Sequence, residues 1–411
     1  MSRSDASSAA RAFPSCDSDR RARTVALAGM TGLAVALGVG RFAFTPLLPL
    51  MLADGAIGLK AGSWLASANY AGYFVGAVSC AALRVAPARM VRFGLAATVL
   101  LTAAMGVGHL LPVWLAVRFV AGVVSAWTFV FMSQWGLRRL AELHAPEWSG
   151  VIYAGPGVGI VLTGLIGSAL AGQRAAWGWL GFAALSAMLS VAIWRTFGGA
   201  APAMPPAASP HAPARPAPAA AGPHRADAAW LVVLYAMPGF GYIITATFLP
   251  VIARAALPAG SPWPDLFWPM FGAALIAGAV AAARLPAQWD NRLLLAGGCV
   301  TQALGIAAGI VWPNAAGFSV GSVLLGLPFT AITLFAMREA RRLHGERAAG
   351  LMGYATASYG GGQIAGPLAA APLVAQSGSF TPVLWIAAAS LVAGAAGFAM
   401  CASRGRRRSP D

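Results

Sequence analysis

The sequence predicts an all-α membrane protein, twelve transmembrane helices arranged as two homologous six-helix bundles. Three observations predict it. Twelve apolar runs of spanning length follow one another, arginines crowd every second connection between them, and the last six runs repeat residues of the first six.

Composition sets the class. Of 411 residues, 58% are hydrophobic and 10% charged, against about 25% charged in a soluble domain. Too little polar surface exists to cover a soluble protein of this size, whereas apolar side chains can face hydrocarbon. The 49 glycines fit membrane helices, where glycine lets backbones approach closely. The net charge of +16 sits in short gaps between apolar runs, not on a polar domain of the kind that binds nucleic acid. Lys60 is the only lysine, and the abundant alanine, glycine and arginine match a GC-rich bacterial genome. Cys16, Cys80, Cys299 and Cys401 lack metal-ligand spacing and read as free thiols.

A spanning helix needs roughly 20 apolar residues. The runs fall at 24–50, 61–83, 91–110, 113–135, 149–171 and 175–197, then at 228–252, 265–283, 293–311, 315–337, 348–374 and 381–402. In lipid every backbone polar group needs an internal partner, so each is a helix. Residues 1–23 form a polar tail; Arg20 and Arg21 resemble a twin-arginine signal, but the run that follows is too long for a signal core. The first bundle is 24–197 and the second 228–403. Between them, 198–227 is an alanine/proline linker expected to be extended and mobile. A basic tail, 404–411, follows.

Orientation follows from the arginines. The first tail, the linker, the last tail and alternate loops (Arg84, Arg89 and Arg92; Arg138 and Arg139; Arg284 and Arg292; Arg338 to Arg347) are basic. The opposite loops carry only Lys60, Arg174 and Arg254. Both termini and the linker are therefore expected on the cytoplasmic side of a bacterial inner membrane.

The halves repeat at an offset of 201. Gly40 and Pro49 of the first span match Gly241 and Pro250 of the seventh; Tyr153, Ala154 and Gly159 match Tyr354, Ala355 and Gly360. Arg138-Arg139-Leu140 closes the fourth span as Arg341-Arg342-Leu343 closes the tenth. Homologous halves imply a site between them near the midplane, opened alternately to each side.

This arrangement resembles the major facilitator superfamily. Gly38-Val-Gly-Arg-Phe-Ala-Phe-Thr-Pro-Leu-Leu-Pro-Leu-Met51, Leu65-Ala-Ser-Ala-Asn69-Tyr-Ala-Gly-Tyr73 and Gly239-Phe-Gly-Tyr-Ile-Ile-Thr-Ala-Thr-Phe-Leu-Pro250 resemble its YbfB/YjiJ-type branch across nearly the whole chain. Arg118 and Gly122 resemble the arginine motif of the fourth span. Gly155-Pro156-Gly157-Val158-Gly159 resembles the glycine-proline motif of proton–drug antiporters, with Ile160 in place of its final glycine. The aspartate expected after the second span is missing, while Asp290-Asn291-Arg292 stands in the matching loop. The resemblance implies a secondary transporter with the major facilitator fold.

Arg41 is the most informative residue. It lies about 18 residues into the first span, where a charge costs roughly 2.5–3.5 kcal/mol. It is expected to face the bundle interior as a contact for an anionic substrate; the alternative is pairing with helix-end carbonyls or snorkelling. Arg118 has similar depth, and two guanidiniums suit a carboxylate or phosphate; its alternative is packing or gating. Asp54, Asp227, Asp265, Glu142, Glu147 and Glu339 all sit at helix ends or in loops. The two arginines thus lack an evident counter-ion, which a bound anion would supply. A coupling proton would use His109, Asp265 or the substrate's own acid group.

Asn69 and Tyr73 share a face of the second span and read as cavity wall or close packing. Tyr242, in the place of Arg41, and Thr245 one turn on offer neutral hydrogen bonds. The tryptophans read as interfacial anchors by default; Trp127, in mid-span, is the exception and offers a stacking surface as one alternative, and Ser358 and Gln363 are further candidates. Pro46, Pro49 and Pro250 are expected to break helices as gates, Gly155 and Pro156 to hinge the fifth span, and Gly360 and Gly361 to soften the eleventh; the alternative is that membrane helices hold such residues for packing alone. No P-loop, catalytic triad or metal cluster appears in the sequence. The reading is therefore a monomeric carrier of a small organic solute, an organic anion such as a carboxylate, with no cofactor, nucleic acid or enzymatic role. Efflux of amphiphilic compounds by proton antiport is the alternative, with a membrane sensor or enzyme third.

Overall fold

A computed structural model describes residues 16–198, 224–286, 288–345 and 348–408. Twelve long helical segments run through them, and no strand occurs among the described residues. Helix α1 comprises Cys16–Leu33, a π-helical stretch Ala34–Val39, and Phe44–Ala53. Then follow α2 (Leu59–Ser79), α3 (Pro87–Val107), α4 (Leu111–Glu142), α5 (Ser149–Tyr153 and Gly155–Ala169) and α6 (Ala175–Trp194). The second bundle is α7 (His224–Ala256), α8 (Trp263–Ala283), α9 (Asn291–Val311), α10 (Ala315–Gly326 and Phe329–His344), α11 (Ala348–Ser377) and α12 (Thr381–Arg408).

Ten of these are long and apolar enough to cross a bilayer by length and composition. The other two, α2 and α11, have the length but carry Asn69, Tyr70, Tyr73 and Gln363. They pack against each other across the bundle boundary, as do α5 and α8, so protein and not lipid faces their polar residues. Outward-facing Leu100, Met188, Val191 and Val392 are exposed, the apolar jacket that hydrocarbon requires.

Helix starts and ends follow the sequence expectation to within a few residues except at the tails and at the ends of α4 and α10, which run past the expected 135 and 337 to Glu142 and His344. α1 begins at Cys16, inside the expected polar tail, α7 begins at His224, inside the expected linker, and α12 continues to Arg408. Most of the linker, 199–223, lies outside the described residues.

Among the close helix crossings that need glycine, two correspond between the halves. A Cβ on Gly38 would collide with the Gly159 backbone, and one on Gly239 with the Tyr359 carbonyl. These pairs bring α1 onto α5 and α7 onto α11 in matching fashion, so the repeat in sequence is a repeat in packing.

The proline expectations need correction. Pro250 lies inside α7, which runs unbroken through it and through Pro238. Pro49 likewise lies within Phe44–Ala53. α11 passes through Gly360 and Gly361 without interruption. The break in α1 falls at 40–43, before Pro46. A proline has no N–H to give the fourth residue before it and its ring crowds that carbonyl, so Pro46 disturbs the turn upstream, at Phe42. α5 is interrupted at Ala154, next to Gly155 and Pro156, where the sequence places a hinge.

Candidate functional site

The break in α1 places the most informative residue. After the π-helical stretch, Gly40 and Phe42 donate to the carbonyls five residues earlier, Val35 and Leu37. The loosened backbone turns the Arg41 side chain toward the second bundle. Its guanidinium donates to Gln363 Oε1 of α11 at 3.0 Å and lies 4.3 Å above the Tyr73 ring, with Phe42 and Tyr70 at 5.1 and 5.2 Å. Gln363 donates in turn to the Tyr242 hydroxyl. Arg41, Tyr73 and Tyr242 thus come together, and Gln363 joins both halves. Arg41 is 7% exposed, Gln363 4% and Tyr242 0%.

Arg118 does different work. It donates to the carbonyl oxygens of Gly40 at 3.4 Å and Arg41 at 3.2 Å, inside the break. At 2% exposure it satisfies backbone groups that the interrupted helix leaves buried. Among the described residues neither Arg41 nor Arg118 forms an ion pair, and the Nε of each is buried without a partner.

Four expected residues lie elsewhere. Asn69 donates to the Arg118 carbonyl at 2.9 Å and belongs to the α2–α4 contact, the packing alternative. Trp127 donates to Ser79 Oγ at 2.9 Å and sits beside Phe93. Thr245 faces a void of about 20 Å³ within the second bundle, beside Gly305, Phe318 and Leu384. On α7 the residue four after Tyr242, and not three, points at the first bundle: the Ala246 carbonyl accepts from Thr45 Oγ1 at 3.1 Å. Ser358 donates to Val232 within the second bundle.

Several further participants are absent from the sequence expectation. Tyr70 and Thr247 share a hydrogen bond of 2.9 Å, and Ser67 donates to the Ile364 carbonyl at 2.9 Å. Four side-chain hydrogen bonds therefore join the bundles among the described residues, at Arg41, Thr45, Ser67 and Tyr70. All lie level with Arg41 or farther from the chain termini. Tyr359 stacks on both Tyr235 and Tyr242, and Phe329 meets Phe42 and Tyr242 edge-on. Helical spacing points to two of them, since Thr45 follows Arg41 by four and Tyr70 precedes Tyr73 by three.

The carboxylates also need correction. The sequence places Glu339 at a helix end, yet it is 1% exposed. It pairs with Arg342 at 2.6 Å and Arg292 at 3.7 Å, with Asp290 on the other side of Arg292. Burial pushes the Asp290 carboxyl up, but hydrogen bonds from the Arg292 side chain and backbone outweigh it and hold the group below its ordinary value. This cluster ties α9 to α10, away from Arg41.

Two bundles of membrane helices around a buried polar group define a multi-pass membrane transporter of the major facilitator class. The chain matches the family described as "Uncharacterised MFS-type transporter YbfB" over residues 33–398 and belongs to that family. A solved structure, that of a point mutant of the nucleoside transporter NupG, is similar in fold, with a TM-score of 0.66 at 14% identity over 92% of this chain and 99% of that one. No match was found among curated protein sequences.

Proposed function

We propose that this transporter carries a small organic anion, such as a carboxylate, by alternating access across the bacterial inner membrane. The observation that carries the reading is Arg41: a guanidinium buried between the bundles, held by the neutral Gln363 and by aromatic faces, with no carboxylate partner among the described residues. A buried cation is costly alone, and an anion arriving there would be rewarded by charge and by hydrogen bonds from Arg41. Arg118 adds positive potential while its own donors hold the α1 backbone. The hydrogen bonds that join the bundles on one side of Arg41 support a state sealed at the end away from the termini. The arginine distribution supports cytoplasmic termini, so the substrate would reach Arg41 from the cytoplasm in this state. The substrate's own acid group is the proton carrier in this reading, and one chain, holding both halves of the site, works as a monomer.

Efflux of amphiphilic compounds is the second reading, favoured by the aromatic wall of Tyr235, Tyr359, Tyr242 and Phe329. Thermal unfolding of the purified protein against carboxylates, phosphates, nucleosides, lipophilic cations and neutral aromatics separates the two. A ligand at 100 times its Kd adds about 2.7 kcal/mol. Carboxylates should stabilise the protein, and Arg41→Gln should fold but lose that effect. Stabilisation of Arg41→Gln equal to wild type would remove Arg41 as the anchor, and stabilisation by lipophilic cations alone would favour efflux.

A further inference from the structure

Trp64, Trp177 and Trp312 are exposed, as tryptophans that anchor at a membrane interface are. Trp268 is different. It lies in the second turn of α8 and is 1% exposed. Its ring stacks on Phe271 with centroids 5.0 Å apart and meets Phe42 of the first bundle edge-on at 6.0 Å. Its indole N–H is buried and has no acceptor among the described residues. A buried tryptophan N–H ordinarily has a partner, because a donor left unpaired loses its water for nothing.

The same Phe42 ring carries the Arg41 guanidinium, 5.1 Å from its centroid. Arg41 Nε is likewise buried without an acceptor. One ring therefore touches two residues with unpaired donors, one from each bundle. Phe42 stands on the interrupted stretch of α1, where its N–H reaches back to Leu37 and the regular ladder of a helix is lost. Charge decides which acceptor suits Trp268. Asp265 lies one turn nearer the start of α8 and neutralises Arg254. A second carboxylate at the indole would be buried beside Asp265 with its cation already taken, which is costly, whereas a neutral oxygen carries no such cost.

We propose that Trp268 is a second substrate contact, opposite Arg41, and that the substrate is a carboxylate bearing a neutral oxygen acceptor, such as an oxo acid. This rests on the reading of Arg41 as the carboxylate anchor. The carboxylate takes the unpaired donors of Arg41, Phe42 moves off Trp268, and the substrate carbonyl accepts from the indole N–H. Each bundle then holds one end of the same molecule. A site built to donate to a substrate oxygen rejects the analogue without it, because the site's own donor then stays unpaired.

Thermal unfolding of the purified full chain gives apparent Kd values for two matched sets of acids. One is levulinate, valerate and glutarate; the other is para-acetylbenzoate, para-ethylbenzoate and terephthalate. In each set the oxo acid should bind about tenfold or more tightly than the plain acid and the diacid. Trp268→Phe keeps an aromatic ring and removes the N–H. It should bring the oxo acids down to the level of the plain acids and leave the plain acids unchanged. Replacing Trp268 by its benzothiophene analogue, which keeps the fused ring, should do the same and covers the case in which Trp268→Phe does not fold. Arg41→Gln should lose every acid. Equal binding of oxo and plain acids, tighter binding of the diacids, or an oxo preference that survives both Trp268 replacements would overturn the Trp268 contact and leave Arg41 in place. Stabilisation by none of the acids, or by all of them in Arg41→Gln as in wild type, would overturn the Arg41 reading and this proposal with it.

Discussion

Tyr70→Phe removes one oxygen from the seal between the bundles. In the sealed state the Tyr70 hydroxyl and Thr247 Oγ1 lie 2.9 Å apart, with the two residues 5% and 1% exposed. The variant leaves the Thr247 hydroxyl buried without that partner. Once the bundles part at this end, water reaches the hydroxyl, so the penalty falls on the sealed state alone. An orphaned buried polar group costs about 1–3 kcal/mol, a shift of about 5-fold to 150-fold in the ratio of sealed to open molecules. Thr247→Val should act in the same direction by stranding the Tyr70 hydroxyl. The double variant, with neither group left, should return most of the way, because removing both partners of a buried hydrogen bond is nearly neutral. Double electron–electron resonance between spin labels at Ala53→Cys and Ala256→Cys, with the native cysteines replaced by alanine, reads the separation of α1 and α7 at this end. A longer-distance population should grow in each single variant and recede in the double one. Distance distributions identical to wild type in both single variants would refute the view that this contact helps seal the bundles.

Two further substitutions test other parts. Arg118→Met should leave the Gly40 and Arg41 carbonyls without their donor, at about 1–3 kcal/mol each, and amide exchange over 40–47 should accelerate as the melting temperature falls; a variant that melts at or above wild type would show that the break in α1 does not depend on Arg118. Glu339→Gln should lower thermal stability by about 3 kcal/mol, the low end for breaking a buried ion pair, because Asp290 still holds Arg292; an unchanged midpoint would count against the α9–α10 tie.

The spans are legible because lipid forces length and apolarity on every crossing helix, and the repeat is legible because both bundles keep the same close crossings. Arg41 stands out as a charge where charge is expensive. Gln363 is only a further candidate in the sequence, and its pairing with Arg41 does not stand out, since an amide inside a span is ordinary and its partner is 322 positions away. The role of Arg118 depends on a break in α1 whose position is set by the turn before Pro46, a displacement that reading the proline in place misses. Thr245 is one turn from Tyr242, but three residues fall short of the boundary-facing line that four residues reach. Glu339 is a helix-end residue by position along the chain, whereas neighbouring helices cover it. In each case the missing information is lateral, who stands beside whom, and spacing along one helix does not contain it.

The break in α1 and the guanidinium of Arg118 have a consequence for how the two halves can diverge. By the register of the paired arginines, Gly321 occupies in the second bundle the place that Arg118 holds in the first, and α7 there is continuous. Neither feature is tolerable without the other: a broken α1 opposite glycine would strand buried carbonyls, and a continuous α1 opposite arginine would strand a buried charge. The two traits are therefore epistatic, and a lineage that acquires or discards one must pass through an unstable intermediate unless both change nearly together.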